Sequence, residues 1–174
     1  MIVRVAVSQP RFLLRRLHSV MAGGGSAQEK LDRVVRVLAQ NMVAEVCSLY
    51  LARAGGILEL FATEGLKEEA VHQTRLRFGE GLVGLVAERG LPLNLSEAPQ
   101  HPRFVYRSET GEDIYHIFLG VPILRSGRVA CVLVFHNVVA RRYNCLLYTS
   151  STVAVKEYQY SSTDSKRTQS RQTY

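Results

Sequence analysis

Two segments of this sequence carry residues whose types and spacing suit chemistry or binding. The run Gly79–Gly84 reads G-E-G-L-V-G, the G-x-G-x-x-G spacing that lets a backbone approach a dinucleotide pyrophosphate. The second segment is a polar loop over residues 96–113, and long loops in compact domains are usually functional. The candidate ligand-contacting residues in or beside this loop are His101, Phe104, Tyr106, Arg107, Glu109, Thr110, Tyr115 and His116.

The context of the glycine run does not fit a dinucleotide site. Such a site needs a buried parallel strand before the glycines and a long helix after them. Here the preceding segment, TRLRF, alternates polar and apolar residues, and the helical pattern that follows ends at Gly90. We therefore predict a structural role, in which Gly79 and Gly81 form a turn into a short helix. Gly84 is predicted to let that helix lie close to a sheet.

The loop residues indicate how a small amino acid would be held. Arg107 would pair with its carboxylate, and Glu109 or Glu112 would pair with its ammonium group. The aromatic side chains would form the walls of the site. The alternative is a solvated loop whose aromatic residues only anchor it to the core. Tyr50 and Phe61, on a predicted hairpin, are expected in the core rather than at the floor of a ligand site.

Charge and hydropathy narrow the class of protein. The net charge is +7, but the excess lies at the two ends of the chain, and residues 26–143 are nearly neutral. We therefore expect no nucleic-acid binding. Apolar runs fall short of the roughly 20 residues that span a bilayer, so we also expect no membrane segment. The Arg-rich, acid-free start fits a mitochondrial transit peptide, but a plain amphipathic helix explains it as well.

The cysteines and histidines show no reactive or metal-binding pattern. The three cysteines form no C-x-x-C pair, and their odd number gives no disulfide framework, which indicates a reducing cytoplasm. A metal site is not expected because His18, His72 and His136 lack a partner at metal-ligand spacing. We also find no serine in a nucleophile-elbow context.

Hydrophobic periodicity predicts an α+β domain. Residues 12–21 form a short amphipathic helix, AGGGS breaks it, and Ser26 with Glu29 opens a second helix to about Val43 through a capping box. Strand patterns follow, and two pairs of strands joined by short turns predict a hairpin near each end of the strand region. The apolar run Val129–Phe135 is typical of a central strand. This order indicates a central antiparallel sheet of five to six strands with helices on its faces.

The segment RFGEGLVGLVAERGLPLNLSEAPQHPRF, followed by FLGVPILRSGRVACVLVFHN, resembles a GAF domain. In that family a glycine-rich turn and helix lead to a short strand, and two later strands complete the sheet. The resemblance implies a GAF domain over residues 26–143, after an amphipathic helix and glycine linker at 1–25. The matching positions are Gly79–Ala87, Pro92–Leu95, Phe118–Ile123 and Val129–Val134.

Longer stretches, including LELFATEGLKEEAVHQTRLRFGEGLVGLVA and ETGEDIYHIFLGVPILRSGRV, resemble the N-terminal GAF domain of nitrogen-related enzyme I. That family is the phosphoenolpyruvate–protein phosphotransferase of the nitrogen phosphotransferase system in proteobacteria. The resemblance implies a non-enzymatic, cytoplasmic sensor of a small metabolite, with glutamine as the reported effector class. It would modulate autophosphorylation by later catalytic domains. Those domains, which use Mg²⁺, are absent from this sequence, so no cofactor is expected here.

Other functions remain open from the sequence. Some free-standing GAF domains reduce free methionine sulfoxide with loop cysteines, but Cys47 and Cys131 fall within predicted strands and Cys145 in the tail. A sensor for a cyclic nucleotide or another small molecule is a second alternative. Dimerisation without a ligand is a third. We expect a homodimer whose seam uses an apolar stripe on residues 31–42 and the apolar face of residues 12–21. The stripe consists of Leu31, Val34, Val35, Leu38 and Met42, and the apolar face of Leu13, Leu17, Val20 and Met21.

The end of the sequence departs from the family. A GAF domain should close with an acid-rich amphipathic helix after residue 143, but residues 144–174 are rich in Ser and Thr and carry no helical stripe. The composition predicts a disordered segment. Because CLLYTS resembles translated sequencing-adapter sequence, we also expect residues 144–174 to be non-native. The closing helix would then be missing, and one face of the sheet would be under-covered.

Overall fold

The part of the chain that the structure describes is built from three α-helices and six β-strands. The computed structural model describes residues 10–106, 110 and 115–138. Two short 3₁₀ helices, Glu68–Ala70 and Ala98–Gln100, lie in the connections. The main elements, in chain order, are α1 (Pro10–Ala22), α2 (Ala27–Met42), β1 (Val46–Arg53), β2 (Ile57–Glu64), β3 (Arg75–Arg77), α3 (Gly81–Arg89), β4 (Leu93–Leu95), β5 (Ile117–Arg125) and β6 (Arg128–Asn137).

The strands form one six-stranded sheet in the order β3-β2-β1-β6-β5-β4. Every neighbouring pair is antiparallel. This confirms the predicted α+β fold with a central antiparallel sheet. It also excludes the dinucleotide interpretation of the glycine run, because that site requires parallel strands joined by a helix. β6, the almost wholly apolar strand, lies between β1 and β5, as its sequence predicts.

Helix α2 begins at the predicted capping box. The Ser26 hydroxyl oxygen accepts a hydrogen bond from the Glu29 backbone N–H at 3.2 Å, and the Glu29 carboxylate accepts one from the Ser26 N–H at 2.8 Å. These bonds satisfy backbone donors that the first helical turn leaves unpaired. They also favour the ionised carboxylate, so the pKa of Glu29 lies below its ordinary value.

Helices α1 and α2 cover one side of the sheet, which we call the outer face. The stripe of α2 is buried against β1 and β2, and it includes Val37 beside the predicted residues Val35, Leu38 and Met42. From α1 only Leu13 is fully buried, while Met21, predicted on the same apolar face, is 49% exposed. The outer face is less completely covered at its far end, where four apolar side chains are only half-buried: Leu51, Val121, Cys131 and Leu133.

Helix α3 covers the opposite side, which we call the inner face. Leu82, Val83 and Val86 of this helix pack against apolar side chains of the strands. Because successive residues of a strand point to opposite sides, β1 contributes Val46 and Tyr50 to the inner face and Cys47 and Leu49 to the outer face. The single sheet therefore separates two distinct hydrophobic cores.

Some predictions concern residues outside the described part of the chain. Arg107, Glu109 and Glu112 lie there, so the predicted contacts of Arg107 and the two glutamates stay predictions. The same holds for residues 1–9 and for the predicted non-native tail at 144–174.

Candidate functional site

The inner face carries uncharged hydrogen-bonding groups among its apolar side chains. The register places Ser48 beside Thr63, and it places His136 beside Phe118, a residue of the inner core. Ser48 and His136 are 0% and 6% exposed, so water does not solvate them freely. We call these groups the inner polar set, and its members are Ser48, Tyr50, Thr63, Thr74 and His136.

Two members of the inner polar set satisfy each other. The hydroxyl oxygens of Ser48 on β1 and Thr63 on β2 are 2.8 Å apart, which is a good hydrogen-bond distance. Ser48 is buried and Thr63 half-buried, so each hydroxyl provides the partner that water would otherwise supply. This pair therefore belongs to the architecture of the sheet.

Thr74 lies just before β3, and its hydroxyl is not satisfied in the same way. Its backbone N–H donates to the Ala70 carbonyl at 2.9 Å, and its carbonyl accepts from the Leu60 N–H at 3.0 Å. The residue is 3% exposed, and its hydroxyl oxygen is the buried side-chain atom without a hydrogen-bond partner within residues 10–106, 110 and 115–138. The backbone is thus fixed on both sides while the side chain keeps its bonding capacity.

His136 on β6 lies in an aromatic environment. Its ring is 5.5 Å from the ring of Phe118, edge to face, and 5.8 Å from the ring of Tyr115. Burial disfavours the charged imidazolium and lowers the pKa of His136 to about 4. At neutral pH this side chain is consequently a neutral polar group, like the rest of the inner polar set.

The structure divides the predicted loop residues between the core and the surface. Phe104 and Tyr115 pack against the inner core, and Thr110 is 2% exposed. By contrast, Tyr106 is 51% exposed, and His116 lies at the surface with its ring 3.4 Å from the Glu97 carboxylate. Two of the predicted residues, Phe104 and Tyr115, therefore border the inner face, and a third, Thr110, is buried.

His101 lies at the edge of this region and is half-buried. Its ring nitrogen Nδ1 accepts a hydrogen bond from the Arg103 N–H at 3.1 Å. Burial lowers the pKa of His101 from its ordinary value, and the nearby charges of Arg89 and Arg103 lower it further. A neutral ring fits its acceptor role in that hydrogen bond.

The glycine run and the long loop meet. Gly79 and Gly81 have φ angles of 84° and 63°, in the left-handed region that favours glycine. A side chain on Gly84 would collide with the backbone carbonyl of Arg77, so helix α3 approaches β3 closely at that point. Arg103 of the loop donates a hydrogen bond to the Gly79 carbonyl at 3.2 Å. The loop is thereby attached to the start of α3.

Sequence reasoning overlooked most of the inner polar set. Ser48 and Thr63 belong to no motif, Thr74 only begins the alternating segment TRLRF, and His136 lacks a partner at metal-ligand spacing. The alternation of β1 contained a usable signal, because Ser48 stands between the inward residues Val46 and Tyr50 at the two-residue period. For Thr74 no comparable signal exists, since its burial depends on the fold around it.

The described cysteines are poor nucleophiles. Cys47 is 0% exposed, and burial raises the pKa of its thiol well above the ordinary value. Burial also raises the pKa of Cys131 to about 11. Within the described ranges, the His, Cys, Asp and Glu side chains form no group of three that could hold a metal ion. Likewise, no helix among those residues is long and apolar enough to cross a membrane.

These features define a class of protein. An antiparallel six-stranded sheet has paired helices on one side and a short glycine-led helix with a long loop on the other. Residues 26–155 match the family model described as GAF domain. The chain belongs to the GAF domain family.

Relatives in that family include phosphotransferases. The chain is 38% identical over 113 residues to the Escherichia coli K12 protein named phosphoenolpyruvate-dependent phosphotransferase system; the match covers 64% of this chain and 15% of that protein. It is 32% identical over 114 residues to the Nif-specific regulatory protein of Azospirillum lipoferum, covering 64% of this chain and 18% of that protein. The chain thus spans only a small part of the length of either relative.

Solved structures agree with this relationship. The GAF domain from a Coxiella burnetii phosphoenolpyruvate-protein phosphotransferase is 38% identical with a TM-score of 0.66, covering 75% of this chain and 80% of that chain. The corresponding Acinetobacter domain is 34% identical with a TM-score of 0.67, covering 77% and 80%. A free methionine-R-sulfoxide reductase from Neisseria meningitidis has a TM-score of 0.64 at 19% identity, covering 83% and 84%, which shows a shared fold alone.

Proposed function

We propose that this chain is the regulatory, ligand-sensing GAF domain of a phosphoenolpyruvate–protein phosphotransferase of the nitrogen phosphotransferase system. In this proposal it binds a small polar metabolite such as glutamine and modulates autophosphorylation by catalytic domains outside this sequence. The relatives support this choice of parent protein, because 113 residues of the chain match a protein named phosphoenolpyruvate-dependent phosphotransferase system. The free thiols of Cys47 and Cys131 suit a reducing bacterial cytoplasm.

The observation that carries the sensing role is the chemistry of the inner face. A small-molecule site is typically apolar with a few well-placed polar groups. The inner face has this composition, with Tyr50, Thr74 and His136 among the apolar side chains of β1, β6 and α3. The loop that borders it is tied to α3 through Arg103 and Gly79. A ligand bound there would contact both the sheet and the loop.

A reductase function is disfavoured by the thiols. Reduction of a sulfoxide by cysteine needs an accessible thiolate, and burial raises the pKa of both Cys47 and Cys131. The similarity to a methionine sulfoxide reductase is one of fold alone, and the described loops contain no cysteine. A sensor role therefore fits the chemistry better than an enzymatic one.

Two copies of the domain are proposed to associate through α1. The α2 stripe is buried within one copy, so the dimer seam predicted there is not free for a partner. Exposed apolar side chains remain on α1, with Phe12, Leu14 and Met21 each about half-exposed or more, at 56%, 59% and 49%. Contact through these residues would place two sensor domains side by side and give the ligand an effect across the dimer.

Ligand titration tests the sensing proposal. We expect L-glutamine to raise the thermal unfolding midpoint of the chain in a concentration-dependent way, because a ligand that binds only the folded state stabilises it. A cyclic nucleotide such as cyclic GMP should have no effect. Phe104→Ala should weaken the response, because Phe104 packs against the inner core, and Tyr106→Ala, at an exposed loop position, is the matched control. An unchanged midpoint with L-glutamine, or a response to cyclic GMP instead, would contradict the proposal.

A further inference from the structure

The unsatisfied hydroxyl of Thr74 points to a specific role within the proposed site. A threonine hydroxyl offers one donor and two acceptor positions. Folded proteins pair nearly all buried polar side-chain atoms, so an exception calls for an explanation. Across the described residues, the Thr74 hydroxyl oxygen is such an exception at 3% exposure. The described part of the chain thus leaves this hydroxyl without a hydrogen-bond partner.

The position of Thr74 directs this hydroxyl toward the inner face. Leu76, two residues further on, belongs to the inner core, and side chains two apart on extended backbone lie on the same side. The Thr74 carbonyl is bonded to Leu60, which also belongs to the inner core. Arg75, between them in the chain, is exposed. The Thr74 side chain therefore lies on the same side of the sheet as Leu60 and Leu76, and two backbone hydrogen bonds fix the position of the residue.

The surroundings decide which chemical group this hydroxyl would receive. Among the described residues, the buried polar side chains are those of Ser48, Thr74, Thr110, His136 and Asn137, none of them Lys, Arg, Asp or Glu, and His136 is neutral at pH 7. A carboxylate or ammonium group buried there would lack a counter-charge, and such burial is strongly unfavourable. A carboxamide, carbonyl or hydroxyl has no such penalty. Near the loop, by contrast, charged groups are present, since the charges of Arg89 and Arg103 lower the pKa of His101.

We infer that the Thr74 hydroxyl binds the neutral polar end of the sensed metabolite, which enters the site with its charged end toward the loop at residues 96–106. This inference rests on the proposed function and adds an orientation and a specificity-determining residue to it. For L-glutamine, the side-chain carboxamide meets Thr74 and the α-amino acid group stays near the loop. L-glutamate, which has a carboxylate in place of the carboxamide, is rejected because its charge would be buried without a partner.

The test combines ligand binding with stability of the unliganded chain. Dissociation constants for L-glutamine and L-glutamate are measured by isothermal titration calorimetry, and stability by urea unfolding without ligand. Thr74→Val keeps the shape of the side chain and removes only the hydroxyl. We expect it to weaken L-glutamine binding by about tenfold while leaving the unliganded chain at least as stable as the wild type. Thr74→Ser, which keeps the hydroxyl, should bind L-glutamine within a few-fold of the wild type.

Thr63→Val is the matched control on the same sheet face. It makes the identical chemical change at a hydroxyl that has a partner, Ser48 at 2.8 Å. We expect it to lower the urea midpoint, because it leaves the Ser48 hydroxyl unpaired in the interior. In the wild type, L-glutamate should bind at least tenfold more weakly than L-glutamine.

Each alternative outcome has a distinct meaning. If Thr74→Val binds L-glutamine as the wild type does, the inference is overturned and the proposed function stands. If Thr74→Val lowers the urea midpoint as Thr63→Val does, the hydroxyl serves the fold and the inference is also overturned. A wild-type chain that fails to bind L-glutamine overturns the proposed ligand, and the assignment of Thr74 to its carboxamide falls with it.

Discussion

The buried His136 makes the stability of the domain depend on pH in a window that can be calculated. Its pKa is about 4 in the folded chain against an ordinary value of 6.5. The unfolded chain therefore binds a proton that the folded chain rejects between these two values. Stability from this residue is fully present above pH 6.5, and it is lost progressively as the pH falls toward 4. At 1.36 kcal/mol per pH unit, the loss amounts to about 3 kcal/mol.

Urea unfolding between pH 7 and pH 4.5 measures this loss. The pH range stops at 4.5 because Glu29 and Glu59 have pKa values below the ordinary 4.5 in the folded chain. The stability that their ionised carboxylates contribute is lost in more acidic solution. We expect the free energy of unfolding of the wild type to fall by about 2–3 kcal/mol over this range. His136→Gln removes this titrating group and should reduce the dependence, leaving the contribution of His101, whose pKa is also lowered by burial. His18→Gln, at an exposed position of α1, is the matched control and should follow the wild type.

The slope with pH, rather than absolute stability, decides the outcome, because His136→Gln also changes packing against Phe118 and Tyr115. Parallel curves for wild type and His136→Gln would refute the reasoning. Should that variant not fold, NMR titration of the imidazole carbons in the wild type gives the same answer. A His136 resonance that titrates near pH 6.5 in the folded chain would show that burial does not keep the ring neutral.

Two further substitutions test the packing and the assembly. Gly84→Ala should destabilise the domain by about 2 kcal/mol or more in urea unfolding, because the new methyl group would collide with the backbone carbonyl of Arg77 in β3. Gly24→Ala is the control and should cost little, because the space around Gly24 is open. Equal urea midpoints for the two variants would contradict the close approach of α3 to β3. Leu14→Glu should convert the proposed dimer to a monomer in analytical ultracentrifugation, because it places a charge in the apolar contact of α1; a wild type that sediments as a monomer would contradict that contact.

Local patterns predicted most of the fold. The capping box at Ser26 and Glu29 depends on residues three apart, so it is visible in the sequence and is present in the structure. The hairpins depend on short turns, and β6 owes its central place to an apolar run. The sequence was less informative for α2, where Val37 is buried beside the predicted stripe. That burial depends on how closely the helix lies on β1 and β2, which periodicity alone does not contain.

The candidate site was harder to predict than the fold. The loop was identified by its length, and Phe104 and Tyr115 do border the inner face. Its exposed members, Tyr106 and His116, resemble the buried ones in type, so composition could not separate them. Thr74 is placed in the candidate site by its backbone hydrogen bond to Leu60, which exists only after β2 and β3 pair.

The single sheet between two cores has a consequence for how a bound molecule is communicated. Adjacent residues of β1, such as Val46 and Cys47, belong to opposite cores, so they share one backbone as a common wall. Interiors are close-packed and have low compressibility. In the proposed sensor, an occupant of the inner face that displaced this backbone would therefore also move the side chains that pack against α2, without a hinge. The ligand would then act on one surface of the sheet, and the resulting movement would reach α2 on the other surface.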